Sequence, residues 1–354
     1  MRMMKLENVI KQLKEYNGRE LNLMEVCGSH TAAISKYGIR GMVSEKLNLI
    51  SGPGCPVCVT PTAYIDRLIK LALEENCTIV TFGDLMRVPG SRMSLGQSRS
   101  MGTKVVMVYS PMDTLKLALN NPQEQYVFAA VGFETTAPVY ALLIEEIIKK
   151  QIINVRLLTA IKTMPAVIET LISQRAGNKE RRIDGFIAPG HVCAVMGSDV
   201  FKPIAKKFEI PFSVSGFEDR ELIAAIYGLV KMCTDGRYDV ENYYPSVVNN
   251  TGNLIAQDKI HKYFAGCDCV WRGMGNVRNS GLILRDEYAV YDAGSVGLNE
   301  DIHINRACRC GDILSGMAKP LDCPLYGTVC TPESPQGACM VSMEGSCYHS
   351  YRNI

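Results

Sequence analysis

The feature that most constrains this chain is its cysteine content, because fourteen of its 354 residues are cysteine. Four lie within the last 32 residues, separated by six, eight and seven residues: Cys323, Cys330, Cys339 and Cys347. Their soft thiolate ligands suit an iron–sulfur cluster or zinc. Zinc sites usually bring ligands in close pairs, and these wide gaps do not, so the spacing favours a cluster. Structural zinc and unliganded core cysteines stay as alternatives, since the ferredoxin C-x2-C-x2-C run is absent.

The start of the sequence has no apolar core leading to a small-residue cleavage site, and no stretch reaches the roughly 18 apolar residues of a membrane span. We therefore expect a cytoplasmic protein whose cysteines serve metal binding or redox chemistry rather than a disulfide framework. Its 38 basic and 36 acidic residues nearly cancel. This balance removes the electrostatic argument for nucleic acid or a membrane as the main partner, so protein or small-molecule partners fit better.

A short apolar run, a turn and an amphipathic stretch recur between about residues 49 and 230, a pattern typical of βαβ units. The clearest apolar runs are residues 105–109, 127–133 and 155–160. Strands that alternate with helices imply parallel sheets covered on both faces. The pattern predicts an α/β fold with two domains, at residues 1–125 and 126–235, and an irregular cysteine-rich domain at residues 236–354.

Cys55 and Cys58 form a C-x-x-C motif directly before a predicted helix start at Thr60 and Pro61. A helix N-terminus lowers thiol pKa values, because its dipole and free amides favour thiolate, so this pair can cycle between dithiol and disulfide. Half of a zinc site is the alternative, but the sequence has no second C-x2-C pair. The helix is predicted to turn one apolar face toward a sheet: Ile65, Leu68, Ile69, Ala72 and Leu73.

Cys27 and His30 lie three residues apart beside the flexible Gly28. On one helical turn the thiol and the imidazole can face a single iron, or the histidine can lower the pKa of the thiol. A nucleophilic Cys–His pair is the enzymatic interpretation, and a buried cysteine with a surface histidine is the structural one. The residues alone leave these alternatives open.

Further polar residues follow apolar runs, where α/β folds present side chains to a ligand crevice. The candidates are Asp84, Arg87, Glu134 and His191, with a related group at residues 215–218. We predict that they line one cleft, although each alone also fits a capping or turn position.

The remaining cysteines carry weaker signals. Cys308 and Cys310 fit either a spare ligand pair or local packing. The other five are expected to be small buried residues and are given no role: Cys77, Cys193, Cys233, Cys267 and Cys269.

Taken together, several collinear motifs closely resemble the HypD family of hydrogenase maturation factors. They are residues 24–31 (MEVCGSHT), 52–58 (GPGCPVC), 81–84 (TFGD), 132–136 (GFETT) and 188–191 (APGH), and the cysteine-rich tail. The resemblance spans almost the whole chain, and the combination is specific although no single motif is. Ser29 stands where many relatives carry threonine, a change that keeps the hydroxyl.

The resemblance implies a scaffold on which the Fe(CN)2CO unit of [NiFe]-hydrogenase is assembled, with a HypC-type chaperone as partner and cyanide supplied by a HypE-type donor. It implies two similar α/β domains around a central cleft, and a third domain that carries the cluster. Cys27 would be the iron ligand shared with the chaperone, with His30 close by. The pair Cys55 and Cys58 would be redox-active, and the four tail cysteines would ligate a [4Fe-4S] cluster.

These implications lead to a functional hypothesis. The cluster relays electrons through Cys55 and Cys58 to iron held at Cys27, and Asp84, Arg87, Glu134 and His191 shape the cleft or donate hydrogen bonds to cyanide. The hydrogenase large subunit is then an indirect partner, and the chain is a redox-active scaffold rather than a free-standing enzyme. The competing hypotheses are a protein thiol-disulfide oxidoreductase with a structural metal site in its tail, and an electron-transfer iron–sulfur enzyme acting on a small molecule.

Overall fold

The apolar runs of the sequence form strands, and the amphipathic segments between them form helices that cover the sheets. The computed structural model describes residues 6–175, 177, 182–302 and 305–352, and it forms an α/β fold with two mainly parallel sheets and surrounding helices. The predicted fold class is confirmed. The strands of the described residues are β1 Leu21–Glu25, β2 Leu47–Ser51, β3 Thr78–Thr81, β4 Val105–Met107, β5 Tyr126–Gly132, β6 Val155–Lys162, β7 Gly185–Pro189, β8 Phe212–Ser215, β9 Val240–Asn242, β10 Phe264–Trp271 and β11 Gly275–Leu284.

The helices lie between these strands and in the tail. Those of the described residues are α1 Leu6–Lys14, α2 Gly28–Lys36, α3 Thr62–Glu74, α4 Leu95–Ser98, α5 Asp113–Asn120, α6 Ala137–Lys149, α7 Met164–Arg175, α8 Gly190–Met196, α9 Lys202–Phe208, α10 Asp219–Asp235, α11 Leu254–Tyr263, α12 Cys310–Leu314, α13 Ala338–Val341 and α14 Ser346–Arg352. No helix in these ranges is both long enough and apolar enough to cross a membrane.

The two sheets differ in how their strands pair. Within the described residues the first sheet has the order β2-β1-β7-β8-β9, and every neighbouring pair is parallel. The second has the order β10-β11-β6-β5-β3-β4, in which β3 to β6 pair in parallel and the β10–β11 hairpin adds antiparallel strands at one edge. Strand β5 is buried along its whole length, as expected for a parallel strand covered on both faces.

Each sheet takes strands from all three of the residue ranges 1–125, 126–235 and 236–354. The first sheet combines β1 and β2 with β7, β8 and β9, and the second combines β3 and β4 with strands from the middle and from the predicted third domain. Parallel pairing requires long crossover connections, so strands that are adjacent in a sheet need not be adjacent in the chain. Strands from the beginning of the chain therefore pair with strands from its middle, and strands after residue 235 complete both sheets.

Helix α3 shows where the predicted apolar face holds and where it fails. Ile65 and Leu68 are fully buried, and Ile69 and Ala72 are nearly so. The prediction was wrong for Leu73, which is 42 % exposed and lies at the edge of the face, whereas Leu71 is fully buried. A helix packed on more than one side buries residues that a single apolar face does not include.

Candidate thiol-rich functional site

Four connections leave the carboxyl ends of parallel strands in the first sheet and meet at one edge. Cys27 follows β1, the C-x-x-C loop follows β2, His191 follows β7 and Phe217 follows β8. Parallel strands place their carboxyl ends at the same edge of a sheet, which is where α/β folds build sites. The predicted convergence of several of these motifs is therefore explained by the strand order.

Cys27 is buried at the start of α2, and its position is fixed by a carboxylate beneath it. The Cys27 amide donates to Glu25 Oε2 at 3.0 Å, and the Thr31 hydroxyl donates to Glu25 Oε1. Burial raises the pKa of Glu25 to about 7 and that of Cys27 to about 12. Sequence reasoning missed Glu25, although a carboxylate that ends an otherwise apolar strand is a usable signal. The thiol of the free chain is neutral, and it would release a proton on binding a cation.

His30 is held in one tautomer by two carbonyl oxygens. Its Nε2 lies 3.2 Å from Ser215 O and 3.1 Å from Gly216 O. Carbonyl oxygens only accept hydrogen bonds, so Nε2 carries the proton and Nδ1 keeps a lone pair. Burial lowers the pKa of His30 to about 4. Nδ1 is buried without a partner among the described residues, so its lone pair is available to a ligand.

The two histidines of the prediction share one aromatic neighbour. The His30 ring packs against Phe217 with centroids 4.8 Å apart, and His191 stacks on the same ring at 4.0 Å. Phe217 in turn contacts Tyr244 edge-on. The structure therefore brings His30 and His191 together on the two contacts of one Phe217 ring. The sequence analysis included Phe217 only within the group at residues 215–218.

Glu134 is a second buried carboxylate near this edge. Its Oε1 accepts from the Met164 amide at 2.7 Å, while Oε2 has no partner among the described residues. Burial raises the pKa of Glu134 to about 7. The thiol of Cys193 is also buried, and this burial raises its pKa. The nearby charges of Glu134 and Cys27 raise the pKa further. Glu134 and Cys27 thus flank Cys193, a residue that the sequence analysis left without a role.

Replacing Glu134 with glutamine should stabilise the protein at alkaline pH. A carboxyl group whose pKa is raised from 4.5 to about 7 binds more protons in the folded chain than in the unfolded chain, so its contribution to stability falls as pH rises through that interval. Glutamine keeps the acceptor for Met164 and removes a cost of about 3 kcal/mol at pH 8. Urea denaturation between pH 4.5 and pH 8 measures the change in the free energy of unfolding.

The matched control is Glu145→Gln on α6. Glu145 is paired with Lys259 at 2.5 Å, and that hydrogen bond lowers its pKa. Its removal should give no gain at pH 8, because the charged form is the one that the fold favours. Equal stability of Glu134→Gln and the wild type at pH 8 would contradict the assignment of a buried, unsolvated carboxyl group.

Cys55 and Cys58 form a disulfide in the loop that precedes α3. Both lie in a turn that ends before Thr62, the first residue of the helix, so the predicted effect of the helix dipole on them is small. The loop packs directly on the Cys27 segment, because the Gly28 amide donates to Gly54 O at 2.9 Å. A Cβ atom on Gly54 would lie 2.2 Å from the Cys27 nitrogen. The disulfide and Cys27 are thus joined by direct backbone contact.

The other side of the disulfide faces the tail. Cys58 Sγ lies 3.8 Å from Ala338 O, one residue before Cys339. The Cys339 thiol contacts those of Cys310 and Cys347. The charge of the Cys308 thiol interacts with those of Cys323 and Cys330. The tail therefore groups six cysteines rather than four, all packed in or against the core that contains the disulfide: Cys308, Cys310, Cys323, Cys330, Cys339 and Cys347.

The six tail thiols are soft donors of the kind that iron–sulfur clusters and zinc take. Within the described residues no three His, Cys, Asp or Glu side chains are arranged around one metal position. The six sulfurs are mostly buried, with apolar neighbours such as Ile313 and Met340. The chemistry of these donors fits the predicted cluster, which stays a prediction.

The tail also closes over Cys27. The Ser29 hydroxyl donates to Glu344 Oε1 at 3.2 Å, and a Cβ atom on Gly28 would lie 2.4 Å from Glu344 Cβ. The Ser342 hydroxyl donates to Asp84 Oδ2 at 3.4 Å, which places Asp84 at the rim of the same site. Burial, with the charge of Asp84 as a smaller cause, raises the pKa of Glu344.

Arg87 lies apart from the other predicted site residues. Its guanidinium donates to the Pro332 carbonyl in the tail. We interpret Arg87 as a residue that holds the tail against the 83–87 segment, on which Asp84 also lies.

The fold and the site together define an α/β protein with a buried thiol, a disulfide and a group of six cysteines in one continuous core. The sequence profile of the family HypD, described as "Hydrogenase formation hypA family", matches residues 2–353. The chain belongs to this family.

Curated relatives agree over most of the chain. Hydrogenase maturation factor HypD2 of Bradyrhizobium diazoefficiens is 44 % identical over 92 % of this chain and 87 % of its own. Hydrogenase maturation factor HypD of Escherichia coli strain K12 is 40 % identical over 94 % and 90 %. A putative hydrogenase expression/formation protein of Methanocaldococcus jannaschii is 40 % identical over 95 % and 93 %.

Proposed function

We propose that the chain is a redox-active scaffold for hydrogenase maturation, on which iron is held at Cys27 while its cyanide and CO ligands are added. The observation that carries the proposal is the contact between Cys27 and the disulfide loop on one side, and between that loop and the six tail cysteines on the other. Family membership supplies the maturation role. The HypC-type chaperone and the HypE-type cyanide donor come from the motif resemblance, and the twelve free thiols fit a reducing cytoplasm.

The iron is cargo in this proposal, and two residues of the site keep an unpartnered buried polar atom. The Nδ1 lone pair of His30, three residues after Cys27 at the start of α2, can bind a cation. Glu134 is protonated over much of the neutral range, so it can donate a hydrogen bond to the nitrogen of an iron-bound cyanide. Asp84 and His191 lie at the rim and shape the cleft.

The disulfide gives the site a two-electron store. Reduction of Cys55–Cys58 takes up two electrons and two protons, breaks one S–S bond and leaves two thiols. A [4Fe-4S] cluster in the tail would supply single electrons. The resemblance assigns it to Cys323, Cys330, Cys339 and Cys347. The contacts favour a set in which Cys308 replaces Cys339, because the charge of Cys308 interacts with those of Cys323, Cys330 and Cys347.

A protein thiol-disulfide oxidoreductase is the second candidate, and the observed disulfide favours it. That function needs Cys55 and Cys58 but no iron at Cys27. The Cys55–Cys58 pair is buried, with both residues at most 2 % exposed, so direct exchange with a partner protein would require the loop to open. Burial favours the scaffold, which uses the pair internally.

Infrared spectroscopy of the full chain, purified without oxygen together with its chaperone, tests the proposal. We expect absorption bands of metal-bound CN and CO in the wild type and in Cys233→Ala, whose thiol lies in a different core. Cys27→Ala should lose all of these bands, because the iron loses its ligand. If iron is present and neither the wild type nor the control shows such bands, the scaffold proposal fails and the oxidoreductase replaces it.

A further inference from the structure

Lys162 at the end of β6 is completely buried, and no carboxylate among the described residues is paired with it. Its Nζ lies 3.0 Å from Cys269 Sγ and 2.5 Å from Val270 O, and it sits over the Trp271 ring at 5.3 Å from the centroid. A buried amine requires hydrogen-bond acceptors for its N–H groups. Of these three contacts only the Cys269 sulfur is a reactive group.

A second thiol lies beside the first. Cys267 and Cys269 flank a register shift in the pairing of β10 with β11, and such irregularities redirect side chains. A Cβ atom on Gly281 would lie 3.0 Å from Cys267 Sγ and 3.2 Å from Cys269 Sγ. Both sulfurs therefore crowd one point above Gly281, where the absence of a side chain leaves them room.

The pair opens on a cavity of about 290 Å³ that is separate from the Cys27 site. Lys162, Cys267, Cys269 and Thr159 line it. The Thr159 hydroxyl is buried and has no partner among the described residues, so a polar atom faces an otherwise mainly apolar space without being satisfied. A half-buried thiol, a neighbouring thiol, a cation and an unpartnered hydroxyl make a site for a small molecule.

The charge of Lys162 decides what kind of ligand suits this site. The amine of Lys162 opposes a metal cation at Cys269 and stabilises the negative charge that develops on this sulfur when it attacks or leaves. A half-buried thiol at a cavity, beside a second thiol, is an arrangement that can undergo thiol–disulfide exchange.

We propose that Cys269, activated by Lys162, exchanges with small organic disulfides that enter this cavity, and that Cys267 resolves the product. The Cys269 thiolate attacks one sulfur of the disulfide, forms a mixed disulfide and expels the first thiolate, which takes a proton from solvent. Cys267 then loses its proton to solvent and attacks the Cys269 sulfur, and the second thiolate leaves and is protonated. The chain is oxidised by two electrons and the small disulfide is reduced to two thiols.

This site is independent of the maturation proposal. It uses none of the residues near Cys27, the disulfide loop or the tail. Its test can therefore fail while the scaffold proposal holds, and the scaffold proposal can fail while this one holds.

The test is the alkylation rate of each cysteine in the reduced full chain, measured without oxygen by iodoacetamide labelling and peptide mass spectrometry. At pH 7 the alkylation rate of Cys269 should fall about tenfold in Lys162→Met, because the sulfur loses the donor that stabilises negative charge on it during attack. The rate at Cys233, which has no lysine contact, should stay unchanged. Equal rates at Cys269 in the wild type and in Lys162→Met would overturn the proposal.

One further measurement keeps the test decisive if Lys162→Met does not fold. With 2-hydroxyethyl disulfide the wild type should form a Cys267–Cys269 disulfide, and Cys267→Ser should retain a mixed disulfide on Cys269. Absence of an adduct in Cys267→Ser would refute the proposal.

Discussion

Replacing Gly54 with alanine should eliminate the Cys27 site while both sheets remain folded. The new Cβ would lie 2.2 Å from the Cys27 nitrogen, 2.4 Å from its Cα and 2.6 Å from its carbonyl carbon. These are backbone atoms, so no rotamer change can relieve the overlap. The two loops must separate, which breaks the hydrogen bond from the Gly28 amide to Gly54 O. We expect a destabilisation of about 1–3 kcal/mol and near-complete loss of the infrared bands and of hydrogenase maturation.

Gly41→Ala is the matched control, since nothing lies within 4 Å of the position that its Cβ would occupy. Maturation is measured by hydrogenase activity in a host whose own copy is deleted, and folding by circular dichroism and urea denaturation. Full maturation by Gly54→Ala would show that close contact between the disulfide loop and Cys27 is unnecessary. Global unfolding would appear in the dichroism and would separate loss of the site from loss of the fold.

Much of the fold could be predicted because its signals are local. The apolar runs at 105–109, 127–133 and 155–160 contain β4 and most of β5 and β6, and helices begin close to the prolines that follow them. Strand order could not be predicted, because it depends on which crossover brings distant strands together. The sequence boundary at residue 125 separates β1 from β7, although the two are paired neighbours.

The candidate site was also predictable in its local parts and not in its long-range contacts. Motif spacing identified Cys27, His30 and the C-x-x-C pair, since each lies within one short segment. Glu344 and Cys193 reach Cys27 from remote parts of the chain, and no spacing rule connects residues so far apart in sequence. The tautomer of His30 was equally hidden, because it depends on carbonyl oxygens supplied by residues 215 and 216.

The six-cysteine group shows how a local pattern can mislead in detail. The four regularly spaced tail cysteines suggested one ligand set, and Cys308 and Cys310 looked like a separate pair. In the structure Cys310 contacts Cys339, and Cys308 neighbours Cys323 and Cys330. The proposed cluster would take four of the six available thiols, so its ligand set would depend on contacts between segments as well as on spacing.

Cys308→Ser should therefore remove the cluster, whereas Cys339→Ser should retain it. Serine at a ligand position replaces a soft thiolate by a weakly coordinating hydroxyl, and loss of one of four ligands from a cluster should lower bound iron and acid-labile sulfide by most of their wild-type values. Cys339 contacts Cys310 and Cys347, and its replacement leaves Cys308, Cys323, Cys330 and Cys347 available as ligands. Iron and sulfide per chain, measured after purification without oxygen, decide between the sets.

Two further variants make this result interpretable. Cys77→Ser alters a buried cysteine in another core and should keep the cluster, which controls for loss through general destabilisation. Cys323→Ser should lose it under either ligand set. Retention of iron in Cys308→Ser with loss in Cys339→Ser would restore the set implied by the motif resemblance. It would also place a cluster ligand one residue from the carbonyl that contacts Cys58, so the cluster would stand next to the disulfide that it is proposed to reduce.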